Sequence, residues 1–199
     1  MYQSGATARK ATMSILVDFE IAEAVRQGRL IIDPFESGLV QPNSYDVTLA
    51  ERFSWHDRSD ALIDPYDSRS VLEGLVTVQQ DSIIMQPGDF ILAATREAVS
   101  LPKDIVGQLT GKSSLARLGI MVHVTAGFID AGFSDPPAQI TLEIVNLGNR
   151  PVKLYAGMPI GQIVFTATQE CQVSYSQKPG AKYNGQPAAA HSRYYLNKV

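Results

Sequence analysis

Short runs of Val, Ile, Phe and Thr recur along the chain, and Gly, Pro, Asn and Asp interrupt each one after a few residues. This punctuation constrains the fold more than any other feature. The runs are Leu30–Asp33, Ser44–Leu49, Leu75–Gln79, Ser82–Met85, Phe90–Ala94, Ile105–Leu109, Met121–Thr125, Gln139–Leu147, Val152–Tyr155, Ile160–Thr166 and Gln172–Tyr175. Many short strands at such spacing predict a mainly β fold: a sandwich, a jelly roll or a closed barrel. Two helices are expected among them. Asp18 caps the first, Ile21 and Val25 share one face, and Gly28 ends it. The second is short and lies within Gly111–Gly119, with Ser113 as cap and Gly119 as stop. Residues 1–12 read as a flexible N-terminal extension, 13–176 as one β domain, and 177–199 as an arm poor in aliphatic residues.

At 199 residues the chain can bury one sizeable core. Its formal charge is -3, with 17 Lys+Arg against 20 Asp+Glu. A nucleic-acid coat or a polybasic membrane binder needs a broad positive field, which this balance lacks. A small anionic ligand held by a few local cations remains open. Cys171 is the single cysteine, so an intramolecular disulfide and a multi-cysteine metal site are excluded. A reducing, cytoplasmic location is expected. No apolar run approaches the ~20 residues that span a bilayer, and the first residues carry no signal-peptide core.

Three segments carry candidate chemistry. The first is Gly111-Lys-Ser-Ser-Leu-Ala-Arg-Leu-Gly119, where Lys112 and two hydroxyls meet a helix start and Arg117 follows Ser113 by one turn. Cations and free backbone N–H groups together suit a phosphate chain. The Walker spacing is absent, and a capped helix with solvated cations explains the same residues. The second is Thr125-Ala-Gly-Phe-Ile-Asp-Ala-Gly-Phe133, where Asp130 suits either a sugar hydroxyl or an ordinary turn. The third is the Gln139–Leu147 strand. Ile140, Leu142 and Ile144 share one face, which leaves Glu143 with Gln139, Thr141 and Val145 on the other. Zinc deamination needs H-x-E and P-C-x-x-C elements. His56, His123 and His191 are followed by Asp-Arg, Val-Thr and Ser-Arg, and Cys171 stands alone, so zinc is excluded on ligand count. No G-x-S-x-G elbow occurs. His123 is expected as a packed strand histidine and Cys171 as a small buried hydrophobe.

Lys112–Gly119, followed by Met121-Val-His-Val-Thr-Ala126, closely resembles the signature of dCTP deaminases, members of the dUTPase-like superfamily. The resemblance extends to Gly127–Asp130, Gln139–Glu143 with Asn146, Gly157–Gln162 and Leu39-Val-Gln-Pro-Asn-Ser-Tyr-Asp46. Lys182-Tyr-Asn-Gly-Gln186 and Ser192-Arg193 resemble the family's closing arm. Three departures stand out. Ala131 replaces a usual proline after Asp130. The Phe133–Ala138 turn is longer than usual. The arm continues as Pro187-Ala-Ala-Ala-His191 where glycine and proline are common.

The resemblance implies a distorted β-barrel or jelly roll in a homotrimer, with active sites between subunits. The implied reaction is hydrolytic deamination of dCTP to dUTP and ammonia, free of zinc, with Mg²⁺ on the triphosphate. It implies Glu143 as general base, Ser113 as the residue placing the attacking water, and Arg117 in the same site. Lys112, Ser113, Ser114, Leu115, Ala116 and Arg117 match the phosphate-binding stretch. Ala126, Asp130, Thr141, Leu142, Gln162, Tyr175, Lys182 and Gln186 match further nucleotide contacts. The alternative is a bifunctional enzyme that also cleaves dUTP to dUMP and pyrophosphate. Gly111-Lys-Ser-Ser114 and Thr125–Asp130 resemble that type, whereas Leu115–Gly119 with Val122–Ala126 resembles the deaminase-only type. A non-catalytic nucleotide-binding trimer is the remaining reading. dTTP is a possible feedback inhibitor, and no nucleic-acid or membrane partner is expected.

Overall fold

The structure, a computed structural model, describes residues 13–197. The expected flexible extension, 1–12, lies outside the described residues. The elements run β1 (Ser14–Ile15), α1 (Asp18–Arg26), β2 (Ile31–Asp33), β3 (Val40–Gln41), β4 (Ser44–Thr48), β5 (Arg52–His56) and α2 (Ser68–Leu72). They continue with β6 (Leu75–Gln79), β7 (Ser82–Met85), β8 (Phe90–Ser100), β9 (Ile105–Gly111), α3 (Ser113–Ala116), β10 (Ile120–Met121) and β11 (Phe128–Ile129). The last are β12 (Ala138–Asn146), β13 (Val152–Tyr155) and β14 (Pro159–Ala167).

Two six-stranded sheets carry most of these strands. One has the order β11-β9-β14-β4-β3, with β1 also on β14. The other runs β10-β12-β8-β5-β6, with β2 also on β8. β7 and β13 form a separate antiparallel pair. Alternation along each strand sends one set of side chains inward, so the sheets share a core. Tyr45, Ile163 and Phe165 come from the first sheet, and Phe53, Leu142 and Ile144 from the second; all are fully buried. The architecture is jelly-roll-like and mainly β, as expected, but the two sheets do not close into one barrel. No helix among the described residues is long and apolar enough to cross a membrane.

Several local expectations are corrected. The Phe90–Ala94 run continues to Ser100, through the charged Arg96 and Glu97. Glu97 is buried there because Thr48 satisfies its carboxylate, with the backbone N–H donating at 2.9 Å and Oγ1 at 2.6 Å. A buried carboxylate with its partners in place is compatible with a strand interior. Met121–Thr125 leaves the sheet after Met121, and Gln172–Tyr175 forms no strand; Tyr175 instead opens a 3₁₀ turn. Val17, rather than Asp18, holds the first helix-cap position, and the Glu20 carboxylate accepts from its N–H at 3.0 Å. Lys112, rather than Ser113, precedes α3, which is a single turn. Gly119 stops it at φ +87°, where a Cβ would run into the Gly148 backbone.

Candidate active site

A cleft of about 610 Å³ opens where β9 leads into α3. Lys112, Ser113, Ala116 and Gln162 line it, together with Gly111 and His123. The chain reaches this point because Gly111 ends β9 against β14, directly opposite Gly161. Lys112 does not stand free in the cleft. Its Nζ donates to both Asp46 oxygens at 2.7 Å, and Asp46 is itself buried on β4. Gln41 Nε2 donates to Asp46 Oδ2 at 3.2 Å, and Ser44 Oγ approaches Gln162 Oε1 at 3.4 Å. A buried carboxylate thus fixes the cation at the mouth of the cleft. Arg117 folds back on α3, with Nη1 donating to the Ser113 carbonyl at 2.9 Å, and stays exposed.

β12 carries the second group. Its burial alternates without interruption from Ala138 to Asn146. Thr141 and Glu143 lie on the half-buried face, opposite Ile140, Leu142 and Ile144 in the core. Burial pushes the Glu143 carboxyl above the ordinary carboxylate range. The Val124 N–H, 3.4 Å from Oε2, and the charge of His123 draw it part of the way back. Val124 and His123 belong to the loop after β10. One side of that loop therefore meets Glu143 while His123 lines the Lys112 cleft.

The C-terminal segment lies along β12. Gln186 is buried, and its Nε2 donates to the Gln139 carbonyl at 2.9 Å and to Thr141 Oγ1 at 3.0 Å. Its carbonyl accepts from the Gln139 N–H at 3.0 Å. Ala190 N–H adds a bond to Thr141 Oγ1 at 3.2 Å. Tyr175 packs on Phe133 with ring centroids 5.5 Å apart, and its N–H donates to Ala131, beside Asp130.

The family model described as dCTP deaminase-like matches residues 15–168. The chain belongs to the dCTP deaminase family. A relative from Methanoculleus marisnigri is 50% identical over 183 residues, covering 92% of this chain and 96% of its own. One from Methanosphaerula palustris is 48% identical over 184 residues, covering 92% and 97%. One from Streptomyces coelicolor is 43% identical over 187 residues, covering 92% and 96%. Each is named a dCTP deaminase, dUMP-forming. The fold resembles the crystal structure of 2'-deoxycytidine 5'-triphosphate deaminase from Agrobacterium tumefaciens, with a TM-score of 0.62 and 24% identity. That match covers 78% of this chain and 48% of the other.

The expected residues of this dCTP deaminase family member fall into separate groups. The cleft gathers Lys112, Ser113, Ala116 and Gln162, whereas β12 gathers Thr141, Glu143 and Gln186. Tyr175 bonds and packs on the Ala131–Phe133 turn that follows Asp130, and Asp130 itself is exposed. Ser114 and Ala126 are exposed, and the Lys182 carbonyl accepts from Arg193 Nη1. Leu115 and Leu142 turn their side chains into the core, so only their backbone is left for a ligand. His123 was expected as a strand histidine. It sits in a loop instead, with a buried Nδ1 that has no partner among the described residues. Cys171 is half-buried rather than enclosed.

Asp46, which fixes Lys112, is a functional residue that stands outside the three candidate segments and closes Leu39–Asp46, a stretch that itself resembles the family. Nothing local marks an aspartate as the partner of a lysine 66 residues away.

Proposed function

We propose that the chain is bifunctional and converts dCTP to dUMP, ammonia and pyrophosphate with two waters. One water adds at C4 of cytosine, the C4–N4 bond breaks, and ammonia leaves. A second water attacks the α-phosphorus, and the α–β phosphoanhydride bond breaks to release pyrophosphate. The observation that carries this reading is the match over 92% of the chain to relatives named dUMP-forming. It favours the bifunctional alternative over release of dUTP.

Glu143 is the proposed general base of the deamination. It takes a proton from the attacking water and passes it to the departing amine. A carboxyl raised by burial is better matched to that exchange near neutral pH than an exposed one. Ser113 and Arg117 would place the water and steady the developing charge, from the α3 side. Lys112, Ser113, Ser114 and the α3 backbone would take the triphosphate, with Lys182 and Gln162 beside it. Ala126, Asp130 and Tyr175 would contact base and sugar.

Mg²⁺ would arrive on the triphosphate and offset its charge. Among the described residues, no three His, Cys, Asp or Glu side chains gather where they could hold an ion. The two groups, split between the cleft and β12, suit a site completed between subunits of a homotrimer. A cytoplasmic location and feedback by dTTP belong to the same reading.

The test is a product assay with full-length protein, dCTP and Mg²⁺, following ammonia, pyrophosphate and the nucleotide together. Ammonia and pyrophosphate in equal amounts, with dUMP, are expected. Ammonia with accumulating dUTP would overturn the second step. Neither product from folded protein would overturn both.

A further inference from the structure

The lengthened turn before β12 and the C-terminal segment are bonded to each other at several points. Asp135 N–H donates to Asn184 Oδ1 at 2.9 Å, and Asn184 Nδ2 returns a bond to the Asp135 carbonyl at 2.8 Å. Gly185 N–H donates to Ser134 Oγ at 2.8 Å, and that hydroxyl donates to the Pro136 carbonyl at 2.8 Å. Ser134 is 1% exposed and holds φ at +59°, a conformation that non-glycine residues adopt only under local constraint. The next residue of the segment is Gln186, whose amide is spent on Gln139 and Thr141 of β12. The far end is also held, because the Tyr194 ring meets Tyr66 edge-on at 5.3 Å. Between the two ends the segment ties itself together, with Arg193 N–H donating to the Tyr183 hydroxyl at 3.1 Å.

We infer that Ser134 and Asn184 are positioning residues: they form a dock, built by the lengthened turn, that sets the register of the C-terminal segment on the Glu143 strand. The reciprocal amide-to-backbone pair at Asn184 admits one register, because a one-residue slip unmakes both of its bonds and the Gly185 bond with them. That register delivers Gln186 to Thr141, two residues from Glu143 and on the same face of β12. It also fixes Gln186 Oε1 as a buried acceptor with no partner among the described residues. A buried acceptor held in place is matched by an N–H or O–H donor, and a nucleotide supplies both. The dock is made wholly of this chain's own groups, so its contribution does not depend on a ligand. The catalytic consequence rests on the reading of Glu143 given above.

Asn184→Ala and Ser134→Gly test the dock in the full-length protein. Asn184 is exposed, so its loss spares the core, and glycine suits the φ of position 134. Hydrogen exchange of the protein without nucleotide should show the Gly185 and Gln139 amides opening about tenfold faster or more in each variant. kcat/KM for dCTP should fall about tenfold in each variant, carried mainly by KM, with Tm nearly unchanged in Asn184→Ala, the exposed position. A purely structural turn would lower Tm and leave the split between KM and kcat alone. Unchanged exchange would overturn the dock. Faster exchange with wild-type kcat and KM would overturn its role in the reaction. Glu143→Gln with wild-type exchange separates the two readings, because its activity reports on the base and its exchange on the dock.

Discussion

The Lys112 cleft and the Glu143 strand handle charge in opposite ways. At the cleft the charge is paired before any ligand is considered: Asp46 is buried and grips Lys112 with both oxygens. At the strand, among the described residues, the carboxyl has one long backbone contact and no cation bonded to it, and burial raises its proton affinity. The scaffolds differ as well. The cleft is built from a strand end, a one-turn helix and a glycine stop, whereas Glu143 sits in the stretch Thr141–Val145 that pairs with β8 without a register shift. The difference teaches which task each region suits. A paired cation keeps its position, and an ammonium with three N–H donors can meet a further anionic oxygen while Asp46 stays bonded. A desolvated carboxyl on a rigid strand can hold and release a proton.

The sharpest way to break the comparison is Glu143→Gln. Ammonia release should fall by roughly 10²–10⁴, the range of general acid–base contributions, while dCTP binding persists. Turnover within a few-fold of wild type would remove Glu143 from the proton-transfer role.

Next is Lys112→Met, which strands a buried carboxylate. Unfolding in denaturant should show a loss of about 3 kcal/mol, as expected when one partner of a buried pair is removed. Lys112→Met combined with Asp46→Leu should recover much of it. An undiminished stability in the single variant would mean that the cleft pair is not constraining Lys112.

Leu142→Ala sharpens the boundary between core and site. Leu142 is fully buried, so the variant should lose roughly 2–4 kcal/mol. Activity measured well below the new Tm should stay close to wild type. A large activity loss without destabilisation would place the side chain in the site instead.

The smallest effect is in pH dependence. Glu143 is raised above its unfolded value of 4.5, so its ionised form is disfavoured in the folded state. This penalty is absent below the unfolded pKa, grows as pH rises, and is complete once pH passes the raised folded value. Glu143→Gln should therefore raise Tm slightly at pH 7 to 8, by roughly 2–4 °C per kcal/mol relieved, and not at all near pH 3. The acid limb of kcat/KM should likewise lie above the range of an exposed glutamate. A Tm difference that is independent of pH would show that the carboxyl is solvated.

Some of these features can be read from local sequence and others cannot. The alternation of β12 placed Glu143 opposite a core face because period-two patterning needs no knowledge of partners. Leu75–Gln79, Ser82–Met85 and Val152–Tyr155 match their strands residue for residue for the same reason. β8 runs past the apolar Phe90–Ala94 stretch through Arg96 and Glu97, and Thr48, brought in by β4, makes a buried Glu97 tolerable. Tyr175 is the opposite case, since a β-prone run without a neighbouring strand edge stays a turn.

The sequence by itself determined that the chain is β-rich, that its candidate site residues fall within Lys112–Arg117 and on the strand of Glu143, and which family it belongs to. Those properties follow from short-range periodicity and contiguous motifs. Only the tertiary structure decided that Asp46 holds Lys112, that the Val122–Val124 loop joins the cleft to Glu143, and that Ser134 and Asp135 bond to Asn184 and Gly185. Each of these pairs residues far apart in the chain. Which donor meets which acceptor depends on how the two sheets are stacked, and no local pattern encodes that.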